Sequence, residues 1–154
     1  CNWSNYYPSD NYPFMYKCRS ANSSIIKYRY ADVLLLKAEA LIMQDTPDLD
    51  GAADIIDEVR ERAKLGALSA STRSNKNAML NALLKERRLE LAFEGQRWFD
   101  LVRLDKVEEV MNAVYSKDSG RKAQVYAFDK TSYRLPIPQS VIDANDKIHQ
   151  NPGY

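Results

Sequence analysis

This sequence has few of the residues from which many catalytic and metal sites are built. Its 154 residues include one histidine, two cysteines and five glycines. His149 has no cysteine or histidine at the spacing that zinc ligands need, and neither a glycine-rich phosphate loop nor a serine nucleophile motif is present. We therefore expect no catalytic residue, no metal and no cofactor.

The sequence also lacks net charge and a long apolar run. Its 22 basic and 21 acidic groups leave a net charge of +1, which gives no field for nucleic acid or an acidic substrate. The longest apolar stretch, 31–43, is broken by Lys37 and Glu39, and a membrane helix needs roughly 18 apolar residues. No stretch has the basic start and apolar core of a signal peptide. With 45% apolar and 28% charged residues, the composition is that of a globular domain.

Apolar residues recur at helical spacing, which predicts a mostly α fold. Asp48 or Asp50 is expected to cap the second helix and Gly66 to end it. The first two helices form a unit of about 34 residues with small alanines, which resembles a tetratricopeptide helix pair. The predicted elements are helices over 30–44, from the Asp48–Asp50 region to Gly66, from about 77 to 93 or beyond, and over 106–115, a short strand over 132–135, and a helical turn over 138–144. Gly95 is a point at which the third of these helices could bend or be interrupted. Long loops connect the others.

The segment 85–103 mixes charged and apolar residues within one predicted helix. Arg87 falls on the apolar stripe between Leu84 and Leu91, and a buried guanidinium must be paired. Glu90 lies within reach of the same face. Glu86, Glu90 and Glu94 recur every four residues. Glycosidases use a pair of carboxyl groups as acid and as nucleophile or base. Because arginines lie beside these three residues in the sequence, structural ion pairs are the favoured interpretation.

Several motifs together resemble the SusD/RagB-like family, the surface glycan-binding lipoproteins of Bacteroidetes-type outer membranes. They occur in the family's order, and they are the segments 28–41, 56–65, 85–103, 133–138 and 150–154. Family members are several times longer, and these motifs belong to their C-terminal part. The resemblance thus implies a single C-terminal domain over 1–154, with an aromatic loop segment (1–24), a helical-repeat region (25–115) and a loop-rich tail (116–154).

The resemblance also implies a function. The parent protein would be a lipid-anchored, non-enzymatic glycan-binding protein on the cell surface. It would deliver oligosaccharide to a SusC-like, TonB-dependent outer-membrane transporter, which the helical-repeat face would contact. Capture of peptides instead of glycans, and a plain helical-repeat scaffold for protein partners, remain alternatives.

Candidate site residues follow from chemistry and from the resemblance. Trp3, Tyr6 and Tyr7, interleaved with asparagines, have the composition of a sugar-stacking surface; alternatively, they pack on the rest of the parent protein. Within the resemblance, Glu39 is the expected buried partner of Arg87 or Arg88, although it could point to solvent beside Lys37. Trp98 and Phe99 are expected in the core.

The sequence does not decide the roles of the two cysteines, Cys1 and Cys18. Cys1 is either the acylated first residue of a mature lipoprotein or the point at which a longer chain was cut, and the order of the motifs favours the second. The two could pair in an oxidising compartment, but two cysteines alone do not decide this.

Overall fold

The computed structural model describes Lys17 and residues 26–117 and 127–154. The chain divides into two compact units, Cys1–Arg97 and Trp98–Tyr154. The helices are α1 (Tyr30–Met43), α2 (Leu49–Arg62), α3 (Ala70–Arg73), α4 (Lys76–Glu90), α5 (Arg97–Arg103), α6 (Val107–Lys117), a 3₁₀ helix (Lys130–Tyr133) and α7 (Gln139–Asp143). The prediction of a mostly α fold is therefore confirmed. The predicted sugar-stacking residues Trp3, Tyr6 and Tyr7, and both cysteines, lie outside the described residues.

The core of the first unit forms where α1, α2 and α4 pack against one another. Ala38 in the middle of α1 and Ala52 and Ala53 near the start of α2 are fully buried, and such small side chains let the two helices approach closely, as the helix-pair prediction expected. Every core residue of this cluster is at least 97% buried, and the set is Leu35, Ala38, Ile42, Ala52, Ala53, Ile56, Val59, Met79 and Leu83. Burying these side chains supplies most of the favourable free energy of folding of this unit.

The ends of α2 confirm one prediction and correct another. The Asp48 carboxylate accepts a hydrogen bond from the Gly51 backbone N–H at 2.9 Å, so Asp48 is the N-cap. Gly66 does not end the helix. The chain instead turns at Lys64, which has φ of 58°, and the Leu65 N–H returns to the Arg60 carbonyl at 2.9 Å. This backbone bond closes the helix before the glycine is reached.

The helix α4 ends at Glu90, earlier than predicted. A turn follows in which Phe93 and Gly95 have φ of 66° and 79°, and α5 begins at Arg97. Because the turn interrupts the helix, the periodicity of buried residues in α4 does not continue into α5. The buried residues of α5 are Asp100 and Leu101. Phe99 is 64% exposed as a result, and its predicted place in the core is wrong.

Arg87 lies on the buried face of α4, where it is 2% exposed. Its Nη1 is 2.8 Å from Oδ1 of Asp32 on α1 and also donates to the Asp32 backbone carbonyl at 3.4 Å. Asp32 is itself 4% exposed, so neither charge can recover its hydration if the other is removed. The pair joins α4 to the first turn of α1.

We predict that Arg87→Met lowers the free energy of unfolding by about 3–5 kcal/mol, because it leaves the Asp32 carboxylate buried without a counter-charge. Arg88→Met is the matched control, since Arg88 is exposed on the same helix, and it should change stability by no more than about 0.5 kcal/mol. Chemical denaturation of both variants measures the difference. Equal stabilities would show that the buried charge pair does not hold the helices together.

In the second unit, two amide side chains take the place of backbone hydrogen-bond partners. Asn112 accepts from the Phe128 N–H at 2.9 Å and donates to the Phe128 carbonyl at 3.0 Å. Gln150 does the same for Ile137, at 2.8 and 2.9 Å. The strand predicted over 132–135 is wrong: the 3₁₀ helix ends at Tyr133, and side chains rather than a neighbouring strand pair with the extended backbone after it.

Candidate functional site

Three carboxylates spaced four residues apart, Glu86, Glu90 and Glu94, form an acidic ladder along α4 and the turn after it. The Glu86 carboxylate is 3.0 Å from Arg60 of α2. The other two carboxylates share Arg29, which stands just before α1 and reaches Glu90 at 2.6 Å and Glu94 at 2.8 Å. The acidic ladder thus ties α4 to α2 and to the start of α1.

Two further cations complete the acidic ladder. Arg62, near the end of α2, contacts Oε1 of Glu90, and Lys17 lies 2.6 Å from Glu94. Arg29 also donates to the Glu90 backbone carbonyl. Because each carboxylate faces at least one cation, none of the three is placed as a free acid or nucleophile.

The partners of the acidic ladder differ from those that sequence reasoning had suggested. Arginines on the same segment were the expected partners, but Arg88 is exposed and forms no ion pair within the described part of the chain. Arg97 donates to the Leu84 carbonyl at 3.1 Å instead. Arg29, Arg60 and Arg62 are distant in sequence, and no local spacing rule could have found them.

Glu39 is buried on α1, at 9% exposure. It takes part in an interaction, as does Arg87, so its carboxylate does not lie free in the core. Its pairing with Arg87 stays a prediction, whereas Arg88, which forms no ion pair within the described residues, is not its partner.

The acidic ladder sets the charge state of Glu94. Burial by itself would raise the pKa of this carboxyl, but hydrogen bonds from Arg29 and Lys17 outweigh burial and lower the pKa below its ordinary value of 4.5. The same contact with Glu94, followed by that with Glu90, raises the pKa of Arg29 against the opposing effect of burial. Both groups are therefore charged at neutral pH.

We predict that the acidic ladder loses stability in acid. Because the folded pKa of Glu94 is lowered, its contribution is fully present above about 4.5 and is lost as the pH falls through the lowered value. Denaturation midpoints measured between about pH 6 and pH 3 should therefore fall less steeply in Glu94→Gln than in the wild type. Glu61→Gln, an exposed position on α2, is the control and should keep the wild-type slope; equal slopes in all three proteins would contradict the assignment.

A cleft of about 520 Å³ opens beside the acidic ladder, between the start of α1 and the second half of α2. We call it the α1–α2 cleft. Its lining residues are Arg29, Tyr30, Ala31, Leu34, Glu58, Val59 and Arg62. Its volume is within the range of small-molecule sites, and it combines apolar side chains with a ring, a carboxylate and two guanidinium groups.

A second cleft, of about 390 Å³, lies within the second unit and is lined by Lys130, Thr131, Tyr133, Arg134 and Pro152. The Tyr133 hydroxyl donates to Asp105 at 2.7 Å, and Lys130 is 3.3 Å from the same carboxylate. The hydrogen bond to Asp105 raises the pKa of Tyr133 to about 12. Hydrogen bonds from Tyr133 and then Lys130 lower the pKa of Asp105.

We predict that this hydrogen bond can be followed by titration. The folded pKa of Tyr133 is raised above 10.0, so the stabilisation is present below that value and is lost as the pH rises through about 12. Asp105→Asn should move the Tyr133 transition toward 10.0 in an NMR titration of its ring carbon. Asp129→Asn, which leaves the Asp105 contact intact, is the control; an unchanged Tyr133 transition in Asp105→Asn would disprove the coupling.

Within residues 26–117 and 127–154, no group of three histidine, cysteine or acidic side chains is arranged to hold a metal ion. None of the helices in this part of the chain is both long and apolar enough to cross a membrane.

The SusD family model, SusD_RagB, matches residues 5–154, so the chain belongs to the SusD family. This confirms the resemblance that the sequence motifs indicated.

Several SusD-like proteins are similar to this chain in sequence or in structure. The chain is 33% identical over 142 residues to SusD-like protein P2 of Formosa agariphila, an alignment that covers 88% of this chain and 27% of that protein. It is 40% identical over 99 residues to SusD-like protein P38 of the same organism, covering 60% and 19%. A crystal structure of a SusD-like protein from Bacteroides fragilis superposes with a TM-score of 0.68 at 28% identity, over 94% of this chain and 29% of that one.

A SusD homologue from Bacteroides thetaiotaomicron gives a TM-score of 0.67 at 29% identity, over 90% of this chain and 30% of that one. The chain therefore spans less than a third of the length of each of these relatives.

Proposed function

We propose that this chain is the C-terminal part of a non-enzymatic nutrient-binding protein on the outer-membrane surface. The full-length protein holds oligosaccharide and delivers it to a SusC-like, TonB-dependent transporter. The observation that carries the proposal is membership of the SusD family over nearly the whole chain. The lipid anchor and cell-surface position belong to the full-length protein in this proposal.

The chemistry of the acidic ladder supports binding rather than catalysis. Glycoside hydrolysis needs two carboxyl groups that face each other across the bond to be cleaved. Glu86, Glu90 and Glu94 instead lie along one side of α4 and its following turn, and each is engaged by a cation. We propose that their role is structural.

The ligand contacts that we propose lie in the aromatic segment at the start of the chain. Trp3, Tyr6 and Tyr7 offer rings to the C–H faces of sugars, and the neighbouring asparagines can bond hydroxyl groups. These rings lie in one segment, and a tight saccharide site needs groups that converge from several. We therefore expect the rest of the full-length protein to supply the other wall.

A second candidate function, a scaffold for protein partners, is favoured by the outer face of α1. Tyr30, Val33 and Met43 are between 53% and 73% exposed on a helix whose inner face is also apolar. A surface helix normally has a polar outer face, so these exposed apolar side chains are suited to contact with another protein surface.

The test uses the natural full-length protein that contains this chain. We predict that calorimetry against a panel of neutral oligosaccharides shows binding without release of shorter sugars, and that Trp3→Ala weakens it by at least about tenfold. Tyr154→Ala, a 57% exposed ring at the other end of the chain, should bind as the wild type does. This chain alone should bind the same sugars much more weakly.

A pull-down from solubilised outer membranes tests delivery, with a SusC-like transporter as the expected partner. Two results would overturn the proposal: oligosaccharide turnover that is lost in Glu90→Gln, or binding of peptides but of no saccharide. Binding of a protein partner without any saccharide would support the scaffold instead.

A further inference from the structure

We propose that the cleft in the second unit binds a carboxylate carried on a flat apolar ring, such as benzoate. This cleft has a volume of about 390 Å³ and is lined by Lys130, Thr131, Tyr133, Arg134 and Pro152. We call it the 3₁₀ cleft, and its volume is within the range of small-molecule sites. The proposal does not rest on the proposed function, because all of these residues belong to the second unit and none lies in the aromatic segment or the acidic ladder.

The cations that line the 3₁₀ cleft have hydrogen-bond donors to spare. Arg134 is exposed and forms no hydrogen bond or ion pair within the described residues, so its whole guanidinium group can face a ligand. The Lys130 side chain is 72% exposed and lies 3.3 Å from Asp105, a contact that leaves other N–H groups of its ammonium for a second anion. A planar guanidinium binds a carboxylate through two parallel hydrogen bonds. Arg134 can therefore hold the carboxylate, with Lys130 as a second cation.

The carboxylates near the 3₁₀ cleft are already engaged. Asp105 accepts from the Tyr133 hydroxyl at 2.7 Å and faces Lys130. Asp129 accepts from the backbone N–H and the hydroxyl of Thr131, at 2.8 and 2.5 Å. Because no carboxylate of the described residues pairs with Arg134, this cation attracts an anion from outside the chain.

The remaining lining of the 3₁₀ cleft is apolar and is held in position. The hydrogen bond to Asp105 fixes the hydroxyl end of Tyr133, and with it the ring. Pro152 is placed by Gly153, which has φ of 95°, and a Cβ atom added at Gly153 would lie 2.6 Å from Cβ of Thr131. Glycine thus permits a close approach of the chain's tail to the 3₁₀ helix. A flat apolar ring can pack against Tyr133 and Pro152 while its carboxylate faces the guanidinium.

The experiment titrates this chain with benzoate and follows the ring resonances of Tyr133 and the methyl resonance of Thr131 by NMR. A single ring in an open cleft makes few contacts, so we expect saturable shifts with a dissociation constant of about 1–10 mM. Benzamide has the ring without the charge, and acetate has the charge without the ring. Each should bind at least about fivefold more weakly than benzoate, because each lacks one of the two interactions.

One variant tests the cation. Arg134→Gln should weaken benzoate binding by about tenfold or more and leave benzamide binding unchanged, because it removes the charge and keeps the apolar wall. Lys147→Gln is the matched control. Lys147 is exposed in the same unit and its loss changes the net charge equally, but it does not line the cleft, so this variant should bind benzoate as the wild type does.

A second variant should act in the opposite direction. Asp105 competes with benzoate for Lys130, so Asp105→Asn should tighten benzoate binding several-fold and leave benzamide binding unchanged. Asparagine still offers an oxygen to the Tyr133 hydroxyl, and it accepts the φ of 52° at this position more readily than most residues do. The fold around the cleft is therefore kept.

Three results would overturn the inference: no saturable shift with about 50 mM benzoate, equal affinities for benzoate and benzamide, or equal benzoate affinities in the wild type and Arg134→Gln. The second would make the cleft an apolar pocket without selection for an anion. Failure here leaves the proposed function untouched, because that function is tested with the full-length protein and with neutral oligosaccharides.

Discussion

The first unit depends on the neutralisation of carboxylates that a folded core would otherwise exclude. The Glu86 and Glu94 side chains are only 4% and 3% exposed, and Asp32 is buried beside Arg87. A carboxylate in such surroundings is tolerated when a cation and hydrogen bonds replace its lost hydration. The cations come from four separate places in the chain, Lys17, Arg29, Arg60 and Arg87, so α1, α2 and α4 must all be in position before the charges are satisfied. The apolar core and the ion pairs thus require the same arrangement of helices.

Much of this fold could be predicted from the sequence where a helix has one apolar face and a clear end. The predictions for α1 and α6 come within two residues of the observed bounds, because their apolar residues are periodic. The early end of α4 was missed because Phe93 takes a left-handed backbone conformation, which a bulky side chain seldom adopts. The strand over 132–135 was predicted wrongly because Gln150 and Asn151, rather than a neighbouring strand, pair with the extended backbone after the 3₁₀ helix, and side-chain pairing of this kind leaves no periodic pattern.

The candidate sites were harder to predict, for a physical reason. The spacing of Glu86, Glu90 and Glu94 predicted that these carboxylates lie close together, because the positions of neighbours on a helix are fixed by its geometry. It did not predict which cations pair with them. Arg29 and Arg62 are brought to Glu90 by the packing of other helices, which depends on the whole core. The α1–α2 cleft has the same origin: Tyr30 and Glu58 are 28 positions apart, and no motif joins them.

The burial of the acidic ladder has a consequence for the ionic strength at which this unit can work. Dissolved ions screen charges that face water, as in the Lys106–Glu109 pair, whose side chains are 34% and 67% exposed. They have little access to the Glu94 carboxylate, which lies between Arg29 and Lys17. The attraction that fixes α4 against the start of α1 is therefore screened less by salt than the Lys106–Glu109 pair, because its carboxylate is buried even though Arg29 and Lys17 are partly exposed. A rise in salinity should weaken the exposed ion pairs of the surface before it weakens this contact between the helices.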